Sequence, residues 1–240
     1  MQKIREAVIL AAGEGTRLRP TIGEMPKSML QFNGKPLLEH ILNALRERGV
    51  KIFTIVVNYK KERIQSYFGD GSRFNLEIHY VTQKNSNGGT ADAVGMAEGN
   101  IKDAKFFVVY GDNVFDPEIL DEILSKVDSY DGVLCGKEMK DVTQYGTFKI
   151  EEDLVKEIAE KSPNPPSNIV FTGLMILPVD IFNAIKETQL SKRGEKELTS
   201  SISILASKNS KIGYVSTTKF WMDPRNKEDL ESIGKFYRGI

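Results

Sequence analysis

Two glycines and two cations follow a short apolar segment near the start of the chain. Residues 10–20 have the sequence LAAGEGTRLRP, and a Pro-Lys pair follows at positions 26 and 27. Glycines after a buried strand let the backbone approach a ligand and turn N–H groups toward it. Arg17 offers a planar fork for phosphate oxygens, and Lys27 offers a point charge. The segment therefore predicts a site for a ligand as highly charged as a triphosphate.

Two other glycine-loop patterns do not fit this segment. The Walker pattern needs Gly-Lys-Ser or Gly-Lys-Thr after four spacer residues, and this sequence is absent. The dinucleotide fingerprint, typical of NAD-dependent oxidoreductases, has a third glycine where Leu18 stands. A Gly-x-Gly alone also occurs in ordinary tight turns, so the interpretation depends on the cations beside it.

Two aspartates, far apart in the chain, each follow an apolar segment. Asp112 follows an apolar run at residues 106–110 and so lies beyond the carboxyl end of a predicted core strand. We interpret it as a metal ligand rather than a helix N-cap, because Asp116, directly before Pro117, is the better cap. Asp223 stands in the sequence FWMDP, and on the residues alone it is equally consistent with the start of the last helix.

The elements that must position these side chains alternate between strand and helix in the first half of the chain. Strands are predicted at residues 7–12, 52–57, 76–81 and 106–110. Helices are predicted at residues 37–45, 60–68 and 90–98 and after position 117. This order predicts an α/β fold with a mostly parallel sheet and helices on both faces. Ligands bind such sheets beyond the carboxyl ends of the strands.

The second half of the chain has a different pattern. A hairpin is predicted from strands at 145–150 and 154–160, followed by strands at 168–177 and 212–216 and helices at 198–206 and 226–236. We expect a single domain over residues 1–240. Its core spans about 1–130, a β-rich substrate-binding lobe about 131–220, and a terminal helix about 226–238.

Composition excludes several classes of protein. Lys and Arg number 33, as do Asp and Glu, so no basic field is present to hold a nucleic acid polymer. No apolar stretch is long enough to span a membrane, and we expect a cytoplasmic protein. Cys135, the single cysteine, lies in an apolar run and is interpreted as a core residue rather than a nucleophile.

The phosphate-loop segment resembles the signature of the sugar-phosphate nucleotidylyltransferases, which include glucose-1-phosphate thymidylyl- and uridylyltransferases and mannose-1-phosphate guanylyltransferases. Further segments resemble family motifs in the same order: GGTADA at 88–93, YGDN at 110–113, YG at 145–146, EK at 160–161, TG at 172–173 and WMD at 221–223. The resemblance covers nearly the whole chain. It implies that residues 1–130 form a Rossmann-like nucleotide-binding core and that the inserted lobe at about 131–220 binds the sugar phosphate.

The resemblance also implies roles for individual residues. Catalytic roles fall to Arg17, Lys27, Asp112 and Lys161. Nucleotide binding falls to Leu10, Ala12, Gly13, Gly15, Thr16, Arg17, Gln83, Gly88 and Thr90. Sugar-phosphate binding falls to Tyr145, Gly146, Glu160, Lys161 and Gly173. Asp112 and Asp223 would hold Mg²⁺ as the cofactor. Thr199 also stands in a family-like segment, but it is equally consistent with a helix N-cap.

The resemblance implies that a nucleoside triphosphate and a sugar 1-phosphate are the substrates, and that the chain self-associates. Gln83 favours UTP or dTTP, and glucose 1-phosphate is the favoured sugar. The spacer at 84–87 departs from the thymidylyl and uridylyl pattern, so GTP with mannose 1-phosphate, or UTP with an amino-sugar 1-phosphate, stays open. A catalytically silent nucleotide-sugar-binding subunit is the non-enzyme alternative. On the residues alone, Gln83 is as consistent with a polar loop residue, and Glu160-Lys161 with an exposed hairpin end.

Overall fold

The computed structural model describes residues 3–85 and 88–239. The strands are β1 (Glu6–Ala11), β2 (Gln31–Phe32), β3 (Lys35–Pro36), β4 (Ile52–Val57), β5 (Glu77–Thr82), β6 (Lys105–Tyr110), β7 (Val114–Phe115), β8 (Gly132–Glu138), β9 (Gly146–Glu151), β10 (Leu154–Glu160), β11 (Ile169–Pro178), β12 (Ile212–Ser216) and β13 (Trp221–Met222). The α-helices are α1 (Arg19–Ile22), α2 (Leu37–Glu47), α3 (Lys61–Phe68), α4 (Gly89–Gly95), α5 (Glu118–Leu124), α6 (Ile181–Glu187), α7 (Leu198–Ser207) and α8 (Lys227–Arg238).

Four parallel strands form the part of the sheet that carries the phosphate loop. β1 pairs in parallel with β4 on one side and with β6 on the other, and β4 pairs in parallel with β5. The register places Ile9 beside both Ile55 and Val109. These strands are continuous apolar runs because both faces of a parallel sheet are covered. The expected mostly parallel core is confirmed.

Helices cover both faces of this sheet, as the alternation of strand and helix predicts. Ala7 and Ile9 of β1 belong to a buried cluster that includes residues of α2, α5 and α8. Val8, between them, belongs to a second cluster with residues of α4, α6 and α7. Because successive strand residues face opposite sides of a sheet, this split follows directly from the strand geometry.

The β-rich second half joins the same sheet. β11 pairs antiparallel with β6, and β8 and β9 in turn pair with β11. The hairpin of β9 and β10 lies at one end of the nine-stranded sheet, and β12 pairs in parallel with β8. The region predicted as a sugar-phosphate lobe is therefore hydrogen-bonded directly to the nucleotide-binding core.

The structure also bears on the single cysteine and on membrane-spanning segments. Cys135 is fully buried in β8, and burial raises the pKa of its thiol to about 12. It is a core residue, as predicted. None of the helices within residues 3–85 and 88–239 has the length and apolar character needed to cross a bilayer.

Candidate active site

The loop after β1 packs a glycine against Lys27. Gly15 has a φ of 61°, in the left-handed region that favours glycine. A Cβ at this position would lie 2.8 Å from Cγ of Lys27, so the absence of a side chain lets the lysine pass beside the loop. Leu18 is buried and anchors the short turn Thr16–Leu18, whereas Arg17 is exposed beside it. Two cations therefore lie at the loop: Arg17 is exposed to solvent, and Lys27 packs against Gly15.

Lys27 bridges the two aspartates that were predicted to bind metal. Its Nζ donates to Oδ2 of Asp112 at 2.9 Å and to Oδ1 of Asp223 at 3.1 Å. The lysine side chain is only 12% exposed, against 38% for Asp112 and 25% for Asp223. Burial disfavours the ammonium, but the attraction of both carboxylates outweighs this cost and raises the pKa of Lys27. Both carboxylates thus lie within reach of a single cation.

A small β-ribbon brings these aspartates together from distant parts of the chain. β7 begins two residues after Asp112, and β13 ends directly before Asp223. The two strands pair antiparallel, with Met222 beside Val114. The indole nitrogen of Trp221 also donates to a carbonyl of β11 at 3.0 Å, which attaches the ribbon to the main sheet. Asp223 is therefore positioned by strand pairing and does not simply begin the last helix.

The carboxylate oxygens of Asp112 and Asp223 are suitable ligands for a hard cation. Mg²⁺ prefers oxygen ligands and is commonly held by one or two carboxylates together with substrate phosphates and water. Within the described part of the chain, no group of three or more His, Cys, Asp or Glu side chains is arranged to hold a metal ion. The pair Asp112 and Asp223 fits a Mg²⁺ that takes its other ligands from phosphate oxygens and water.

A cavity of about 260 Å³ lies beyond the carboxyl ends of β1 and β6. Residues predicted to bind the nucleotide line it, namely Leu10, Ala12, Gly13, Gln83 and Thr90.

Gln83 is buried at the edge of this cavity, and its side-chain nitrogen already has partners. Nε2 donates to the carbonyl of Gly89 at 3.0 Å and to Asp92 Oδ2 at 2.9 Å. A Cβ on Gly88 would lie 2.9 Å from that nitrogen, so Gly88 leaves room for the amide. No contact of the amide oxygen is seen within residues 3–85 and 88–239, and this oxygen could accept from a base. Ser86 and Asn87, in the spacer that departs from the family pattern, lie outside the described residues.

The start of α4 is hydrogen-bonded to the segment that precedes α7. The Thr90 hydroxyl accepts from the backbone N–H of Leu198 at 2.9 Å. The backbone of Lys196 accepts from Ala91 at 2.9 Å and donates to Gly88 at 3.1 Å. These bonds connect the side of the cleft predicted to bind the nucleotide with the side predicted to bind the sugar phosphate.

A second cavity, of about 210 Å³, is lined by Tyr145, Gly146, Glu160 and Lys161 among others. Lys161 has a φ of 45°, and its backbone N–H donates to the carbonyl of Tyr145 at 3.0 Å. Its Nζ lies 3.6 Å from Glu160 Oε1. A Cβ on Gly146 would lie 3.1 Å from Glu160 Oε2, so this glycine leaves space for the carboxylate. Four of the five predicted sugar-phosphate residues therefore lie together.

The fifth predicted residue, Gly173, lies behind the cavity rather than in its lining. Its φ is 78°, and a Cβ there would lie 2.6 Å from Cγ of Tyr110. The ring of Tyr110 lines both cavities. Gly173 thus supports the wall of the cleft and lets the Tyr110 ring pack closely against β11.

Thr199 is not a helix N-cap, which corrects one of the two interpretations of the sequence. Helix α7 begins at Leu198, so Thr199 lies inside its first turn, and its hydroxyl donates to Glu160 Oε2 at 3.2 Å. Glu197, the residue before the helix, is buried. Burial and the nearby Glu160 raise the pKa of Glu197, although Arg193 opposes this shift.

Two arginines of the cleft were missed by the sequence analysis. Arg193 Nη1 lies 3.2 Å from Glu197 Oε1 and 3.8 Å from Glu160 Oε1. Arg225 Nε donates to Asp223 Oδ2 at 3.0 Å. Each arginine stands within a few residues of an acidic side chain in a family-like segment, and that spacing was the available signal.

Asp112 connects three cavities into one cleft. It lines the cavity beside Gln83, the cavity beside Lys161, and a third of about 270 Å³ at the phosphate loop. The third cavity is also lined by Gly15, Thr16 and Arg17. Apart from Gly88 and Gly173, the residues predicted for catalysis, nucleotide binding and sugar-phosphate binding therefore line three cavities that share Asp112.

Comparison with known proteins identifies a family and several relatives. A family model described as Nucleotidyl transferase matches residues 6–238. Bifunctional protein GlmU of Methanocaldococcus jannaschii is 33% identical over 232 residues, which cover 96% of this chain and 54% of GlmU. UTP–glucose-1-phosphate uridylyltransferase AglF of Haloferax volcanii is 33% identical over 233 residues, which cover 94% of this chain and 95% of AglF. The chain thus spans about half the length of GlmU and nearly all of AglF.

The fold is also similar to solved structures. A crystal structure of UDP-glucose pyrophosphorylase complexed with UDP-glucose superposes with a TM-score of 0.86 at 25% identity. The superposition covers 99% of this chain and 100% of the other.

Proposed function

The chain belongs to the nucleotidyl transferase family, and we propose that it transfers a nucleotidyl group from a nucleoside triphosphate to a sugar 1-phosphate. We propose UTP or dTTP as the donor and glucose 1-phosphate as the acceptor, giving a nucleoside diphosphate sugar and pyrophosphate. One observation carries the proposal: a single cleft has the phosphate loop, Lys27 and the two aspartates at the junction of its two lateral cavities.

The proposed reaction is an in-line displacement at the α-phosphorus. A phosphate oxygen of the sugar 1-phosphate forms the new P–O bond, and the bond from the α-phosphorus to the bridging oxygen breaks as pyrophosphate leaves. The nucleophile is already an anion, so no general base is required. Positioning and electrostatic stabilisation must supply the rate.

Side chains of the cleft would position the substrates and stabilise the developing charge. Arg17 and Lys27 would bind the triphosphate and stabilise charge on the departing pyrophosphate. Lys161 would hold the attacking phosphate, and Glu160 would accept hydrogen bonds from sugar hydroxyls. Thr199, through its bond to Glu160, would keep that carboxylate in place.

Asp112 and Asp223 would hold Mg²⁺, which supplies charge neutralisation at phosphate oxygens when it is bound. Lys27 lies between these carboxylates. It would have to release at least one of them when the metal and triphosphate bind, and its ammonium would then be free to bind the phosphates.

The choice of substrates rests on two relatives and one side chain. AglF is named as a UTP–glucose-1-phosphate uridylyltransferase, and the similar solved structure contains UDP-glucose. Gln83 is buried at the cavity on the nucleotide side and has an amide oxygen to offer to a pyrimidine.

A substrate panel tests the proposal. Pyrophosphate release is measured for UTP, dTTP, GTP, CTP and ATP, each with glucose, glucosamine, N-acetylglucosamine and mannose 1-phosphates, with Mg²⁺ and with excess chelator. We expect turnover to be fastest with UTP or dTTP and glucose 1-phosphate, and to be lost with the chelator.

A variant pair gives this panel a control. Asp112→Asn should lower turnover at least about 100-fold, because it removes one of the two carboxylates that would hold the charge-neutralising Mg²⁺. Asp153→Asn, which removes the same charge from an exposed hairpin turn, should leave turnover unchanged. If wild-type protein binds the nucleotide sugar but releases no pyrophosphate with any pair, it is the catalytically silent subunit instead.

A further inference from the structure

Arg225 has a fixed backbone position at the edge of the cleft. It follows β13 and stands directly before Asn226, the N-cap of α8. The Asn226 side chain accepts from the backbone of Asp229 at 2.8 Å, and the carboxylate of Asp229 accepts from the backbone N–H of Arg225 at 2.7 Å. This capping arrangement fixes the point from which the Arg225 side chain projects.

Two contacts fix the guanidinium group as well. Nε donates to Asp223 Oδ2 at 3.0 Å, and the guanidinium carbon lies 4.0 Å from the centre of the Tyr145 ring. The side chain is 23% exposed. Neither Nη atom hydrogen-bonds to any residue within 3–85 or 88–239. The four N–H groups on these atoms are therefore held in place and available to a ligand.

Arg225 lies where two of the cavities described above adjoin. It lines both the cavity beside Lys161 and the cavity at the phosphate loop, and it shares this property with Arg17, Asp112 and Asp223. The two lysines nearby have carboxylate partners for their ammonium groups: Lys27 bridges the two aspartates, and Lys161 lies near Glu160.

We propose that Arg225 is a phosphate-binding residue that contacts the phosphate of the sugar 1-phosphate through its Nη groups. This proposal rests on the proposed function. A phosphate monoester carries close to two negative charges at neutral pH, and it would enter a space that already contains Asp112 and Asp223. A guanidinium stacked on an aromatic ring is well suited to bind such a group with two parallel hydrogen bonds.

The position of Tyr145 indicates that Arg225 contacts the sugar phosphate rather than the leaving pyrophosphate. Tyr145, which the guanidinium covers, lines the cavity beside Lys161 and does not line the cavity at the phosphate loop. The ring on which Arg225 stacks thus belongs to the cavity predicted to bind the sugar phosphate, whereas Arg17 stands on the phosphate loop itself. Arg225 and Lys161 both line the cavity that contains Tyr145, so both could contact the sugar phosphate there.

Three variants test this role: Arg225→Gln, Arg225→Lys and, as the matched control, Lys227→Gln. Lys227 is exposed on the same helix terminus, and its nearest carboxylate is 3.9 Å away. Calorimetry measures the Kd of glucose 1-phosphate and of UTP separately, and steady-state kinetics gives KM for each.

We expect Arg225→Gln to raise the Kd and KM of glucose 1-phosphate about 10- to 100-fold, because a charge-assisted pair of hydrogen bonds is lost. The Kd of UTP should change less than about 3-fold. Arg225→Lys should lie between wild type and Arg225→Gln, because it keeps the charge but not the fork. Lys227→Gln should behave as wild type.

Other outcomes would overturn the proposal. If UTP or pyrophosphate binding weakens while glucose 1-phosphate binding does not, Arg225 serves the leaving group. If Mn²⁺ affinity, measured by electron paramagnetic resonance, falls and both substrates weaken equally, Arg225 acts only by holding Asp223. Pyrophosphate release by the wild type is a separate measurement. Its absence would refute the proposed reaction, whereas loss of glucose 1-phosphate binding in Arg225→Gln would still support the contact.

Discussion

Replacing Gly173 with alanine tests how the wall of the cleft is built. The residue adopts a φ of 78°, and an added Cβ would lie 2.6 Å from the ring of Tyr110. Left-handed backbone costs a residue with a side chain about 1–2 kcal/mol. Overpacking costs about 1–3 kcal/mol more, and because Tyr110 faces open cavities on its other side, the ring can shift and the lower half of that range applies. We therefore expect the free energy of unfolding to fall by about 2–4 kcal/mol.

Gly34→Ala is the matched control for this substitution. Gly34 has a φ of 75°, but a Cβ there would meet no atom within 4 Å. Gly34→Ala therefore adds only backbone strain, and its free energy of unfolding should fall by about 1–2 kcal/mol. Both losses are measured by urea unfolding followed by circular dichroism. Equal losses for the two variants, within about 0.5 kcal/mol, would refute the close packing of Gly173 against Tyr110.

Three further substitutions test other parts of the site. In Lys27→Met the two aspartates lose their shared cation, so Mg²⁺ added without nucleotide should raise the Tm of the variant more than that of wild type, and equal shifts would contradict a shared cation site. Thr199→Val removes one hydrogen bond to Glu160, a loss of about 0.5–1.5 kcal/mol, so KM for the sugar 1-phosphate should rise about 2- to 12-fold in initial-rate assays; an unchanged KM would show that the bond has no role in binding. Because the pKa of Glu197 is raised, ionisation of this carboxyl destabilises the fold above that pKa and has no effect below the ordinary value of 4.5. Glu197→Gln should therefore raise the free energy of urea unfolding at about pH 8 and leave it unchanged at about pH 4. An equal gain at both pH values would refute the direction of the pKa shift.

Several strands were predictable because each is a short run of mostly buried apolar residues. The sequence analysis placed strands at residues 52–57 and 212–216, and these are the bounds of β4 and β12. The hairpin predicted from 145–150 and 154–160 corresponds to β9 and β10. Apolar runs and alternating patterns of this length are local signals, so tertiary structure was not needed to find them.

The ribbon of β7 and β13, which brings Asp112 and Asp223 together, was not predictable from local patterns. β7 and β13 are two residues long each, too short to show any periodicity. Their pairing, which places Asp223 beside Asp112, depends on contacts between distant parts of the chain. Asp223 as a metal ligand therefore came from the family resemblance, and the shared contact with Lys27 came from the structure.

Side-chain partners across the cleft were also beyond the sequence. Thr199 stands near a helix start, and Ser or Thr there usually caps the helix. In the fold its hydroxyl donates instead to Glu160 on β10, a contact that no local pattern encodes. The same holds for Arg225, whose contacts with Asp223 and Tyr145 combine neighbouring and distant residues.

The fate of the individual phosphates tests the proposed reaction most directly. UTP labelled with radioactive phosphorus at either the α- or the γ-position is incubated with enzyme, Mg²⁺ and glucose 1-phosphate, and the products are separated by chromatography. Nucleotidyl transfer predicts that the α-label appears in UDP-glucose and the γ-label in pyrophosphate, in equal amounts. Appearance of the γ-label on the sugar phosphate, or as free phosphate without any UDP-glucose, would contradict it.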